Sequence, residues 1–452
     1  MSENNLPAEW KKANLPAIAT LNMGQSPSSN DVNQTGEGIA FFQGKAEFGK
    51  LYPSVRKYCT SPKKLAKPND ILLSVRAPVG PTNLANQETA IGRGLAAISV
   101  SNDTFNYKFL LYYFRNIEPW MSEQGTGTTF RAISGKFLKD LRCIVPPLAE
   151  QKVIADKLDT LLVQVETIKA RLDSIPQILK TFRQSVLTSA VSGKLTEEWR
   201  ENKGYSGWGD IKLEKLITAS ANGLSKRSGK DGAETTILRL ADFKDASRIY
   251  GKERKIKLNA KETEKYSLIN DDILIIRVNG SIDLAGKFIR YEKADETEGF
   301  CDHFIRLRLD ENKVLAKYII YVANEGSGRS YLQSSLSTSA GQNTINQVSV
   351  KGLDVPLPSI KEQTEIVRRV EELFAFADRI EQKANAALER VNNLTQSILA
   401  KAFRGELTTD WRDANPDLIS GDNSAEALLA KIKAEREAKI PKRKVKATKV
   451  KG

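Results

Sequence analysis

Few residues in this chain have the type and spacing to do chemistry. There is one histidine, His303, and one histidine cannot by itself build a histidine-based metal site; it is read as structural. The three cysteines, Cys59, Cys143 and Cys301, are far apart, odd in number and lack metal-ligand spacing. They fit a reducing compartment such as the cytoplasm. No His-Glu-x-x-His motif, paired Cys-x-x-Cys or Gly-x-Ser-x-Gly elbow occurs. The nearest approach to a phosphate loop runs from Gly223 to Gly229-Lys230. It is one residue too long, and Asp231 stands where Ser or Thr would hold magnesium, so it reads as a basic turn. Gly92-Arg93-Gly94 is too short for a dinucleotide fingerprint. Carboxylates are spread along the whole chain and mark no nuclease site. The sequence therefore predicts no catalytic centre and no metal.

What remains is the chemistry of binding. The net charge is +14, and seven of those charges are Lys or Arg in 439–452, a segment without acids. A basic body and tail favour a polyanion, because each neutralised phosphate releases counterions; the plain alternative is solubility. Late in each half comes a loop of small polar residues, Gly125–Arg131 and Ser337–Asn343. Arg can bind guanine bidentately, and Asn or Gln adenine. On that basis the candidate DNA contacts in the first half are Gln43, Lys45, Arg76, Arg93, Thr128, Thr129 and Arg131. In the second half they are Lys226, Arg227, Arg239, Arg277, Asn279, Gln342 and Asn343. The plain alternative is flexible surface loops with solvated charges.

The elements that must position these loops show as an internal repeat. Glu150-Gln151 recurs as Glu362-Gln363, an offset of 212. The same offset joins Gln184-Ser185 to Gln396-Ser397, Gly193 to Gly405, Leu195-Thr196 to Leu407-Thr408 and Trp199-Arg200 to Trp411-Arg412. No insertion is needed, so the segment is a duplication. Each copy carries an apolar seam. The first runs Ile154, Leu158, Leu161, Val165, Ile168, Leu172, Ile175, Leu179, Phe182, Val186. The second runs Ile366, Val370, Leu373, Ala377, Ile380, Ala384, Ala387, Val391, Leu394, Ile398. Steps of four and three alternate throughout, the coiled-coil period that keeps one stripe on one partner. Prolines precede each copy (Pro146-Pro147; Pro356 and Pro358) and Gly193 and Gly405 end them. Pro176, inside the first copy, predicts a kink between two helical pieces. Ile154 to Val186 spans about 48 Å as helix.

The flanking segments have matching beginnings: Trp10, Leu15 and Ile18 against Trp208, Leu213 and Leu216. Both carry a strand-like run, Asp70-Ile71-Leu72-Leu73 and Asp272-Ile273-Leu274-Ile275, followed by a basic turn. Short alternating runs with Gly, Asn and Pro breaks predict mixed α/β domains. The expectation is an α+β chain. Two mixed α/β domains, 1–144 and 205–355, are separated by two long antiparallel coiled-coil-like helices in spacers 145–204 and 356–412, with a pseudo-twofold repeat. A C-terminal helix and basic tail occupy 413–452. The polar N-terminus lacks a signal-peptide core, and no apolar run reaches a membrane-spanning length.

With this layout the chain resembles the specificity (S) subunits of Type I restriction-modification enzymes, close to the enterobacterial type. The resemblance covers essentially the whole chain. Its motifs are Pro146-Pro147-Leu148-Ala149-Glu150-Gln151, Leu357-Pro358-Ser359-Ile360-Lys361-Glu362-Gln363, and Gln396 through Phe403-Arg404-Gly405-Glu406-Leu407-Thr408 to Trp411-Arg412. It implies that each flanking domain is a target-recognition domain for one half of a bipartite, asymmetric DNA target. The helices would set the spacing and dock two methyltransferase (M) subunits, with Lys157, Arg368, Arg369 and Gln396 facing them. Restriction (R) subunits would join. S-adenosylmethionine, ATP and magnesium would belong to those partners, and adenine N6 would be methylated by M. Two other readings stay open on the sequence: a stand-alone sequence-specific DNA-binding regulator, and a protein-assembling scaffold.

Overall fold

The two runs that open with a buried aspartate form central strands. In a computed structural model, which describes residues 6–101, 103–126, 131–229, 231–244, 247–251 and 253–438, Ile71–Ser74 and Ile273–Ile276 are buried at every position. Such continuous apolar runs suit strands covered on both faces, each large side chain contributing roughly 1.5–3 kcal/mol. Each strand is entered through the same turn. Asn69 (φ 68°) and Asp271 (φ 66°) take the left-handed conformation. Asp70 then accepts from the Lys67 N–H at 2.8 Å, and Asp272 from the Ile269 N–H at 3.0 Å.

The chain divides into two compact units that do not follow chain order: Met1–Leu172 with Ala387–Gly452, and Asp173–Ala386. Each holds a four-stranded antiparallel sheet of the same strand order. In the first it is Thr20–Met23, Leu95–Ser99, Ile71–Ser74 and Thr82–Leu84. In the second it is Ile217–Asn222, Phe304–Leu309, Ile273–Ile276 and Phe288–Arg290. A two-stranded ribbon joins the ends of each domain, Lys11–Asn14 with Arg142–Val145 and Gly209–Lys212 with Asp354–Leu357. The first unit adds a five-stranded sheet and the helix Tyr107–Glu123. The second adds a three-stranded sheet (Arg254–Leu258, Ala233–Leu238, Glu298–Phe300) and the helices Ala316–Asn324 and Gly326–Ser334.

Two helices, Leu148–Val191 and Ile360–Phe403, carry the repeat. Each begins within two residues of a proline and ends before a left-handed glycine, Gly193 (φ 80°) or Gly405 (φ 81°). Around Pro176, where a kink between two helical pieces is expected, the helix is continuous from Leu148 to Val191. The proline is exposed, and buried Leu179 follows it. A proline inside a helix, which loses a backbone bond and crowds the preceding turn, costs about 3 kcal/mol.

In each unit the start of one helix lies with the end of the other. Ile154, Ala155 and Leu158 share a core with Leu399, Ala402 and Phe403 in the first unit. Val186 and Ala190 share one with Ile366, Val367 and Val370 in the second. Val165, Leu179, Ala377, Ala384 and Val391 of the seams are also buried. Leu161, Leu172, Ile175, Phe182, Leu373, Ile380, Ala387 and Ile398 are half-buried, and Ile168 and Leu394 are exposed. The C-terminal helix Ala425–Ala438 adds Leu428 and Ile432 to the first core, and Arg436 donates to the Pro16 carbonyl. The basic tail 439–452 lies outside the described residues. Among the described residues, no helix is long and apolar enough to cross a membrane.

Candidate nucleic-acid interface

The repeated Glu-Gln pairs anchor each domain to the helices. Gln151 accepts from the Asn106 N–H (2.9 Å) and donates to the Pro146 carbonyl (2.9 Å). Gln363 does the same with the Leu315 N–H (2.8 Å) and the Pro358 carbonyl (2.9 Å). Buried Glu150 accepts from Thr408 Oγ1 (2.7 Å), Arg412 Nη1 (2.6 Å) and Trp10 Nε1 (2.8 Å). Buried Glu362 accepts from Thr196 Oγ1 (2.9 Å) and Arg200 Nη1 (2.8 Å). Each glutamate at a helix start thus holds the turn that follows the other helix. Only the first also holds its domain's tryptophan. Trp208 Nε1 is buried without a partner among the described residues, although Arg200 lies over its ring.

Lys157, which is exposed, and half-buried Arg369, both expected to face partner subunits, also bond to the chain itself. Lys157 Nζ donates to the Leu407 carbonyl (3.0 Å) and Arg369 Nη1 to the Leu195 carbonyl (2.8 Å). Arg368 is exposed and paired with Glu365 and Glu372, and Gln396 is exposed.

In the first unit the recognition candidates lie at two neighbouring turns. Gln43 and Lys45 follow the strand Ile39–Phe42 and are exposed, as is Arg93. The Gly-Arg-Gly turn presses on Gln43, for a Cβ on Gly94 would lie 2.2 Å from the Gln43 carbonyl oxygen. Only glycine permits that approach. Arg76 and Arg131 meet at a second turn, where the Ala77 N–H donates to the Arg131 carbonyl (2.9 Å) and Arg76 bridges Ala132. Burial raises the Glu118 carboxyl, with Lys45 the main opposing charge, and Gly80 of the second turn packs on Glu118. Thr128 and Thr129 lie outside the described residues.

In the second unit the candidates gather around Cys301-Asp302-His303. Arg277 donates through Nη1 to the Asp302 carbonyl (3.0 Å) and through its backbone N–H to the His303 carbonyl (2.7 Å). Asn279, Gln342 and Asn343 share one small sheet with Ser337–Ser339. Gln342 is exposed there. Asn343 is buried, donating to the Gly280 carbonyl (3.0 Å) and accepting from Thr338 Oγ1 (2.8 Å). On the other side of 301–303, Arg227 and Arg239 line a pocket of about 220 Å³ with Arg254 and His303. Arg239 is paired with Asp242 (3.0 Å) and Lys226 with Glu262 (2.7 Å).

Two features here escaped the sequence reading. Arg254 opens the strand Arg254–Leu258 and shares its inward alternation with buried Ile256 and Leu258; an arginine in phase with an apolar stripe was the available signal. His303, for which the sequence predicts a structural role, is exposed at the pocket edge. The turn from Gly223 to Gly229 is followed by a strand, Ala233–Leu238, where a phosphate loop would need a helix.

A domain used twice and tied to two copies of one helix defines a class of internally duplicated, two-domain protein. The chain belongs to the family described as Type I restriction modification DNA specificity domain, which matches twice, over 7–177 and 205–390. It is 68% identical over 292 residues to the Type I restriction enzyme StySPI specificity subunit of Salmonella potsdam, covering 65% of this chain and 63% of that one. It is 48% identical over 296 residues to the EcoKI specificity subunit of Escherichia coli (strain K12), covering 65% and 64%. Both matches span a little under two thirds of the relatives' length. With the EcoBI specificity subunit of Escherichia coli the identity is 34% over 446 residues, covering 95% of this chain and 93% of that one.

Proposed function

We propose that this chain is the non-catalytic DNA specificity subunit of a Type I restriction-modification complex. Each recognition domain reads one half of a bipartite, asymmetric target. The chain directs adenine-N6 methylation by two M subunits, which would carry S-adenosylmethionine. It also directs restriction by R subunits, which would use ATP and magnesium. The proposed location is the cytoplasm. The observation that carries this reading is the likeness to the EcoBI specificity subunit over nearly the full length of both chains, together with the family's double match. The geometry supports it: Gln43, Lys45, Arg93, Arg227 and Gln342 are exposed, while the repeated residues build buried anchors. Phosphate contacts would set register, and base-edge contacts would carry sequence.

The test is a domain exchange. Adenine methylation is mapped by sequencing host DNA with the native chain, then with residues 1–144 replaced by the corresponding domain of a relative. One half-site should change and the other persist. A change in both, or in neither, would refute the modular reading.

A further inference from the structure

We propose that the pocket between Leu224–Arg227 and Cys301–His303 seats a backbone phosphate of bound DNA, with Arg227 and Arg254 as its cationic groups. The proposal rests on the DNA-recognition reading above and assigns a site within it. The pocket is lined by Ser225, Arg227, Arg239, Arg254, Asp302 and His303 among others. Asp242 offsets Arg239. Arg227 and Arg254 have no carboxylate partner among the described residues, and Arg254 Nε is buried with no hydrogen-bond partner among them. A half-buried guanidinium left short of acceptors is costly unless an anion supplies them.

The walls are firmly joined. A Cβ on Gly223 would lie 2.0 Å from the Cys301 carbonyl oxygen, so only glycine lets the two segments touch. The Leu224 N–H donates to the Phe300 carbonyl (2.9 Å), and the Asp302 N–H to the Leu224 carbonyl (3.1 Å). Arg277 braces the far side through Asp302 and His303.

A cation would fit the same place poorly. Cys301, Asp302 and His303 could present three ligand atoms within 4.8 Å of one another. Three guanidiniums line that space, and burial raises the Cys301 thiol above its ordinary range, which disfavours the thiolate a metal needs. Phosphate is an acceptor only, and guanidinium is a donor only, so the pairing is complementary.

The experiment uses the full chain with its modification subunits and a duplex carrying the mapped target. Binding is measured between about 50 and about 200 mM salt. Arg254→Gln and Arg227→Gln together should lower the slope of log affinity against log salt by about 0.9, one phosphate's worth, and each alone by part of that. Each should weaken matched and mismatched duplexes by the same factor. A scan with neutral methylphosphonate linkages should find one position that weakens the native complex and leaves the Arg227→Gln, Arg254→Gln double variant unaffected. Unchanged salt slopes with specific binding intact would overturn the pocket and spare the recognition reading. Stoichiometric zinc uptake abolished by Cys301→Ser would also overturn it. If the native complex bound all duplexes alike, the recognition reading would fall, and the pocket with it. Exposed Arg227 carries the test should Arg254→Gln fail to fold.

Discussion

Replacing Glu150 by Gln should be among the most damaging isosteric changes in this chain. The native carboxylate is buried and accepts three side-chain bonds, from Trp10, Thr408 and Arg412, all between 2.6 and 2.8 Å. Gln keeps the volume, loses the charge and turns an NH2 group toward existing donors. Arg412, whose side chain is 12% exposed, is then left as a buried cation facing hydroxyls. Breaking one side of such a pair costs about 3–5 kcal/mol. The second copy supplies an internal control. Glu362 makes two of these bonds and lacks the tryptophan. Glu362→Gln should therefore cost less, by about one charge-assisted bond, roughly 1.5–3 kcal/mol. Hydrogen exchange resolved by segment, followed through urea unfolding, separates the two sites, because a chain of two units need not unfold in one step. Deprotection should concentrate in 148–158 and 405–412 for Glu150→Gln, and in 360–370 and 193–200 for Glu362→Gln. Removing both charges, as Glu150→Gln with Arg412→Met, should recover part of the loss. A cost below about 1 kcal/mol for Glu150→Gln, or a larger cost at Glu362, would refute the reasoning.

Two further outcomes follow from local geometry. Gly193→Ala and Gly405→Ala both place a side chain in the left-handed region, at about 1–2 kcal/mol each. Gly405→Ala should lower the melting temperature more, because its Cβ would lie 2.3 Å from Pro7 Cγ, whereas at Gly193 the nearest atom is Arg200 Nη1 at 3.2 Å; equal losses would remove the role given to Pro7. Cys143 is fully buried, and burial pushes its thiol up to about 12, so it should resist alkylation at pH 8 until the chain is denatured. Rapid labelling of the native protein would contradict that placement.

The sequence by itself determined the repeat, the two helices with their ends and apolar stripes, and the central strands. These are local properties. An unbroken offset is countable, prolines and left-handed glycines mark ends, and apolar period reports the element. The search for catalytic motifs was equally local and led to the binding reading that the family match supports. Tertiary structure decided the rest. Pro176 predicts a kink, and the helix is nonetheless continuous through it from Leu148 to Val191. Trp411-Arg412 was visible as a repeat, yet its bond to Glu150 spans more than 250 residues. Lys157 and Arg369 look like free surface cations on a helix, but the chain brings the carbonyls of Leu407 and Leu195 to them. Asn343 and Lys226 look available and are occupied, Asn343 by the Gly280 carbonyl beside its sheet and Lys226 by Glu262 of the helix Ala260–Tyr266. Spacing tells which residues share a face of one element. Which distant element meets that face is settled by how loops close and cores fill, and so the anchors and the arginine pocket appear only in three dimensions.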